Sequence, residues 1–112
     1  MLCARTDSGR AGVGSTVATM TLSVSDSYSG HVETRTAARR TLPGVSIVKA
    51  SVGPMDNNAY LLVCTATGEA LLIDAANEPD RLAEVAASAG DAQLRTTVTT
   101  HRHYDHWQAL GA

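Results

Sequence analysis

The sequence lacks phenylalanine altogether, and aromatic residues make up only 4% of its 112 residues. A core must therefore be built from Val, Leu, Ile and Ala side chains. No apolar run approaches the ~18–20 residues that a membrane-spanning helix needs, and the N-terminus lacks the apolar segment of a secretory signal. These absences predict a cytoplasmic protein that has no contact with a membrane.

Cysteine is scarce as well, with only Cys3 and Cys64 in the chain. Two cysteines do not make the disulfide framework that is typical of small secreted domains. Cys64 ends an apolar run, where a cysteine behaves as a small buried hydrophobic residue, and Cys3 lies in polar surroundings. We therefore expect both cysteines to be unpaired, as they are in a reducing cytoplasm.

An excess of one charge sign is also missing. Nine Lys and Arg residues stand against eleven Asp and Glu residues, for a net charge of -2. This balance provides no basic surface for a phosphate backbone, so we expect no nucleic-acid partner. The hydrophobic fraction of 44% is ordinary for a soluble globular protein, and the length allows at most one ordinary domain.

Residues 1–40 differ in composition from the rest of the chain. This stretch is rich in Gly, Ser, Arg, Ala and Thr, and its apolar residues do not recur with the period of a helix or a strand. A segment of this kind buries little apolar surface. We therefore predict a disordered polar leader over residues 1–40 and a domain over residues 41–112.

Short apolar runs in the first part of that domain predict three strands. They cover residues 45–50, 59–64 and 70–74. Turn-forming residues, Asn57 and Asn58 among them, separate the first two runs, and Gly68 lies in the connection between the second and the third. Short strands with tight connections predict an antiparallel meander.

The periodicity then changes from that of a strand to that of a helix. Apolar residues recur at helical spacing over residues 79–89, and Pro79 suits the first turn, where its missing N–H costs nothing. Residues 94–99 are rich in Thr and Val and predict a further strand. We expect a right-handed βαβ unit with parallel strands, whose active site lies at the carboxyl ends of the strands.

The histidines are concentrated just after that last strand. Three of the four in the chain, His101, His103 and His106, fall within six residues, and Asp105 lies among them. Neutral imidazoles and a carboxylate are ligands that zinc prefers. His101 and His103 point to the same side because they are two residues apart, whereas Asp105 and His106 diverge. The segment therefore has donors for two metal positions.

This H-x-H-x-D-H cluster, together with the apolar strand that ends in Asp74, resembles the metallo-β-lactamase superfamily of metal-dependent hydrolases. The resemblance covers residues 46–110. It implies an α/β fold, namely the N-terminal portion of an αββα sandwich. The run Trp107-Gln108-Ala109 stands where glycines are common in the family, and this departure leaves the subfamily open.

The resemblance also implies a role for each residue of the cluster. His101 and His103 would bind a first metal ion, and Asp105 and His106 a second. Asp105 would also orient the attacking water, and Asp74 would support the metal-binding loop through hydrogen bonds. The cofactor implied is zinc, as one or two ions, with iron or manganese as alternatives.

Two interpretations of the function remain open. In the first, the chain belongs to a zinc-dependent, glyoxalase II-like hydrolase that cleaves an ester or thioester bond of a small molecule. In the second, it is a non-catalytic truncated remnant with at most weak metal binding, because only six residues follow His106 and the family's later ligands are not among them.

An incomplete sandwich would also leave one face of its sheet uncovered. Exposed apolar side chains on such a face favour self-association or aggregation. We expect four residues to be partly exposed there: Leu61, Val63, Leu72 and Val98.

Overall fold

The computed structural model describes residues 22–112, which form one mixed six-stranded sheet with a helix packed on one face. The strands lie side by side in chain order. They are β1 (Val24–Ser25), β2 (Ala37–Leu42), β3 (Val45–Val52), β4 (Asn57–Cys64), β5 (Glu69–Ile73) and β6 (Gln93–Val98). Helix α1 (Pro79–Ala87) connects β5 to β6, and a turn of 3-10 helix follows at Tyr104–His106.

The predicted antiparallel meander is confirmed by the pairing of β3 with β4 and of β4 with β5. The register places Leu61 between Val48 and Leu72, so a row of large apolar side chains crosses the sheet. The turn between β3 and β4 contains Gly53 at a φ of 73°. A Cβ atom at Gly53 would lie 2.8 Å from Cβ of Asn77, so this turn requires glycine.

The predicted helix and the parallel pairing of the strands that flank it are also confirmed. β5 pairs with β6 in parallel, and α1 lies between them in the chain. Leu82 and Val85 of α1 are buried against side chains of the sheet, and burying each such side chain contributes about 1.5–3 kcal/mol. The described residues thus form one sheet and one α-helix, and the complete αββα sandwich stays a prediction.

The two faces of the sheet differ in their cover. Leu61, Val63 and Leu72 lie on the face that packs with α1 and are at most 7% exposed, so the prediction that they line an uncovered face is wrong. Side chains alternate between faces along a strand, and the half-buried residues between them point the other way: Ile47, Tyr60, Leu62, Leu71 and Ile73. Val98 is 42% exposed, as expected.

The sheet begins inside the stretch that was assigned to the leader. β2 pairs with β3, and β1 pairs with β2, while Leu22 and Ala37 are buried at 8% and 2% exposure. The boundary predicted at residue 40 therefore falls within β2. Composition did not reveal this strand because its second half is polar and exposed. The prediction of disorder for residues 1–21 lies outside the described residues.

Cys64, the last residue of β4, is 8% exposed and disulfide-bonded. The expectation of an unpaired thiol at this position is therefore wrong, while Cys3 lies outside the described residues. Disulfide formation depends on the distance between two Cα atoms, which composition does not reveal. The cysteines consequently no longer favour a reducing compartment, and the cytoplasmic location stays a prediction. Within residues 22–112, no helix has the length and the apolar character needed to cross a membrane.

Candidate metal centre

The predicted metal ligands lie at the edge of the sheet where β5 and β6 end and β4 begins. Asp74 follows β5 directly, Thr100 and His101 come shortly after β6, and Asn57 is the first residue of β4. β4 runs antiparallel to β5, and β6 runs parallel to β5. The start of β4 therefore lies beside the ends of β5 and β6. Residues far apart in the chain are thereby brought together.

Asp74 is the central hydrogen-bond acceptor of this edge. Its side chain is buried, and its backbone lies in the left-handed region at a φ of 60°. Oδ1 accepts a hydrogen bond from the backbone N–H of Thr100 at 2.7 Å. Oδ2 accepts a hydrogen bond from the hydroxyl of Thr100, with 2.8 Å between the two oxygens. Oδ2 also lies 2.8 Å from Nδ1 of His106. Burial by itself raises the pKa of Asp74, but these hydrogen bonds lower it below its ordinary value, and the positive charge of His106 adds to this effect whenever its ring is protonated.

The hydrogen bonds to Asp74 also decide which ring nitrogen carries the proton in two neutral histidines. A carboxylate only accepts, so Nδ1 of His106 is protonated and its Nε2 keeps a lone pair. The hydroxyl of Thr100 uses its single hydrogen to donate a hydrogen bond to Asp74, so it accepts a hydrogen bond from the Nδ1–H of His101 at 2.9 Å. Nε2 of His101 therefore also presents a lone pair, which is what a metal ion needs.

The donor atoms form two close pairs. Nε2 of His101 lies 3.1 Å from Nδ1 of His103, and Nε2 of His106 lies 3.5 Å from Oδ2 of Asp105. The two pairs are neighbours, since the rings of His101 and His106 lie 4.0 Å apart between centroids. The structure thus brings together all four residues that the sequence singled out, with His101 and His103 exposed and the other two half-buried.

Asn57 also belongs to the site, although the sequence predicted only a turn residue there. It lies in β4, as does Asn58, so that prediction is wrong for both residues. The amide nitrogen of Asn57 donates to the backbone carbonyl and to Oδ2 of Asp105, at 2.9 Å each. The bond from Asn57 is the main reason why the pKa of Asp105 is held below its ordinary value. The sequence held one signal for the role of Asn57. Antiparallel pairing of the apolar runs over residues 59–64 and 70–74 places the start of the first run beside the end of the second, where Asp74 lies.

Comparison with known families identifies the chain. The profile of the metallo-beta-lactamase superfamily matches residues 52–112, which is more than half of the sequence. This chain belongs to the metallo-beta-lactamase superfamily. A comparison with curated proteins returns no match. The family relationship that the histidine cluster suggested is therefore confirmed at the level of the superfamily, and the glyoxalase II-like subfamily stays a prediction.

The donor chemistry of the site suits the metal ions that this superfamily generally binds. Atoms 3.1 and 3.5 Å apart can both reach one cation at zinc–ligand distances of about 2.0–2.2 Å. Each pair supplies only two donors, however. Within residues 22–112, no group of three or more His, Cys, Asp or Glu side chains is arranged to hold one metal ion. A catalytic zinc ion commonly has three protein ligands, one more than either pair supplies.

The loops around the superfamily site are joined to one another by hydrogen bonds. The backbone N–H of Ala109 donates to the carbonyl of Ala75 at 2.9 Å, so the segment after the histidine cluster is attached to the loop after β5. The backbone N–H of Gly53 donates to Oε2 of Glu78 at 2.7 Å, which attaches the β3–β4 turn to the start of α1. Hydrogen bonds therefore attach the segments around the candidate metal ligands to the rest of the domain.

Proposed function

We propose that this superfamily domain belongs to a metal-dependent hydrolase that cleaves an ester or thioester bond of a small molecule, in the manner of glyoxalase II-like enzymes. His101 and His103 hold one cation, and Asp105 and His106 hold a second. The proposal rests chiefly on the hydrogen bonds around Asp74, which leave a lone pair on Nε2 of both His101 and His106. Each of these nitrogens lies near a second atom that could bind a metal ion. Zinc suits this mixture of imidazole and carboxylate best, with iron or manganese as alternatives.

Metal binding requires one change in protonation. Because Nε2 of His101 carries a lone pair, the 3.1 Å contact places the shared proton on Nδ1 of His103. For this pair to hold a cation, Nδ1 of His103 would have to lose that proton, because a metal ligand needs a lone pair. The tautomers of His101 and His106 need no change.

The residues of the site divide the work of hydrolysis. When bound, a divalent cation lowers the pKa of water toward neutrality and polarises a carbonyl group. The carboxylate of Asp105 accepts a hydrogen bond from the attacking water and orients it. A new C–O bond forms at the carbonyl carbon, the C–O or C–S bond to the leaving group breaks, and the proton of the water passes to the departing alkoxide or thiolate.

Metal binding by the full 112-residue chain tests the assignment. We expect the wild type to bind Zn²⁺ and the His103→Ala variant to bind it at least about 100-fold more weakly, since even residues that only support ligands change affinity by 10–100-fold. His31→Ala is the matched control, because His31 is exposed and lies next to Glu33, far along the chain from the cluster. Equal affinity in His103→Ala and wild type would refute the role of His103.

The number of atoms that could bind a metal ion supports a second interpretation, a non-catalytic chain with weak metal binding. With only two donors in each pair and no larger group among the described residues, the chain would bind a cation weakly and catalyse nothing. Assays of the zinc-loaded protein with a small thioester and the corresponding oxygen ester separate the two functions. Turnover of either compound that disappears in His103→Ala supports the hydrolase, and zinc binding without turnover supports the non-catalytic chain.

A further inference from the structure

We propose that Asn57 is a positioning residue that fixes the Asp105 carboxylate for metal binding, an inference that rests on the proposed function. The amide nitrogen of Asn57 lies 2.9 Å from the backbone carbonyl oxygen and 2.9 Å from Oδ2 of the same aspartate. Both of these atoms are acceptors, so the end of the Asn57 side chain that faces them must be the NH₂ group, with one proton for each.

The two hydrogen bonds restrict Asp105 more than either bond would alone. One holds the main chain of residue 105 and the other holds its carboxylate, so together they select one orientation of the side chain relative to the backbone. The side chain of Asp105 is 28% exposed, and an aspartate of this exposure has several rotamers open to it. Asn57 keeps the carboxylate in the one that places Oδ2 at 3.5 Å from Nε2 of His106.

The chemical nature of Asn57 suits this task. Its amide is neutral, so it leaves the full negative charge of Asp105 available to a cation, whereas a lysine or an arginine would neutralise it. It takes up one lone pair of Oδ2 and leaves the other free. A supporting residue of this kind orients a ligand without competing with the metal ion.

The position of Asn57 explains how one residue of a strand reaches a loop 48 positions further along the chain. As the first residue of β4, it lies at the edge where β5 and β6 end. The next residue, Asn58, has the same side chain, but successive side chains of a strand point to opposite faces, and Asn58 is exposed. The chain thus provides its own control residue.

The experiment compares Asn57→Ala and Asn57→Leu with the same two substitutions at Asn58, all in the full 112-residue chain. Binding of Co²⁺ is followed by its visible absorption spectrum, and binding of Zn²⁺ by competition. We expect both Asn57 variants to bind the ion at the Asp105–His106 pair about 10–100-fold more weakly, with a changed Co²⁺ spectrum. The Asn58 variants should match the wild type. Leu has the same number of side-chain heavy atoms as Asn and the same branch at Cγ, so Asn57→Leu serves if Asn57→Ala fails to fold.

The outcomes separate this inference from the proposed function. If the wild type binds metal and the Asn57 variants bind it equally well with the same spectrum, the positioning role is wrong and the proposed function stands. If the wild type binds neither ion, the proposed function fails, and the NMR signals of the Asp105 carboxyl and the His106 ring in the metal-free protein decide. A shift of both signals in the Asn57 variants but not in the Asn58 variants supports the positioning role, and unchanged signals refute it.

Discussion

In the loop that carries the histidine cluster, Asp105 and His106 are tied to the sheet by hydrogen bonds, whereas His101 and His103 face solvent. The anchored half consists of Asp105 and His106 with their partners Asn57 and Asp74, and three hydrogen bonds hold it. The open half is His101 and His103, both exposed. Among residues 22–112, the side chains of His101 and His103 contact each other, Thr100 and the ring of His106. The fold therefore holds one pair of candidate ligands against the sheet and leaves the other pair exposed to solvent.

The largest effect is expected where the anchored half is broken at its centre. Asp74→Asn puts an NH₂ group at one of the two oxygen positions that accept hydrogen bonds from Thr100 and His106. Either the backbone N–H of Thr100 then loses its acceptor, or the Thr100 hydroxyl and the His106 ring must reverse their hydrogen bonds. We expect a loss of about 2–4 kcal/mol in the free energy of unfolding, measured by urea denaturation of the metal-free protein. Asp80→Asn, which changes an exposed aspartate in the first turn of α1, should cost about 0.3–1 kcal/mol at most.

The acid dependence of stability checks that Asp74 is the cause. Because its pKa in the folded state lies below the ordinary value of 3.8, its contribution is fully present above that value and is lost as pH falls through the folded pKa. Wild-type stability should therefore drop more steeply than that of Asp74→Asn at acidic pH. Identical acid profiles for the two proteins would show that the Asp74 carboxylate does not stabilise this edge.

A smaller effect is expected at the junction of the two halves. Thr100→Val keeps the shape of the side chain but removes the hydroxyl that links Asp74 to Nδ1 of His101. We expect a loss of about 1 kcal/mol in the free energy of unfolding and a shift of the proton between the ring nitrogens of His101, seen by ¹⁵N NMR. The same change at the neighbouring Thr99 controls for the substitution. An unaltered His101 tautomer in Thr100→Val would contradict the link.

The smallest effect on stability is expected in the open half. His103→Ala removes an exposed ring, so the free energy of unfolding of the metal-free protein should change by no more than about 0.5 kcal/mol. The same variant is expected to lose metal binding, which makes the open half important for function and unimportant for folding. A destabilisation as large as that of Asp74→Asn would abolish the distinction between the halves.

Much of the local structure was predictable because it depends on short-range periodicity. The runs over residues 59–64 and 70–74 and the helical spacing over residues 79–89 each correspond to an element of the structure. The histidine cluster was visible for the same reason, since its donors are close together in the chain. Asp74 was identified through the superfamily resemblance, and the structure shows it in hydrogen-bond contact with the loop it was expected to support.

The errors concern features that depend on which segments become neighbours. Periodicity shows that Leu61 and Val63 share a face of one strand but not whether a helix covers that face, and α1 does. Asn57 was interpreted as a turn residue because its partner is 48 residues away. β2 was missed because its pairing with β3 compensates for a sequence of low apolar content.

By itself, the sequence determined the types of donor atom, their order in the chain and the strands that carry them, because these follow from residue chemistry and local spacing. Only the tertiary structure decided which nitrogen of each ring is available, and which aspartate is buried as a hydrogen-bond acceptor while the other stays partly exposed. These choices depend on hydrogen bonds between residues that antiparallel and parallel strand pairing brings to one edge of the sheet, and such long-range proximity is not written in any short stretch of the chain.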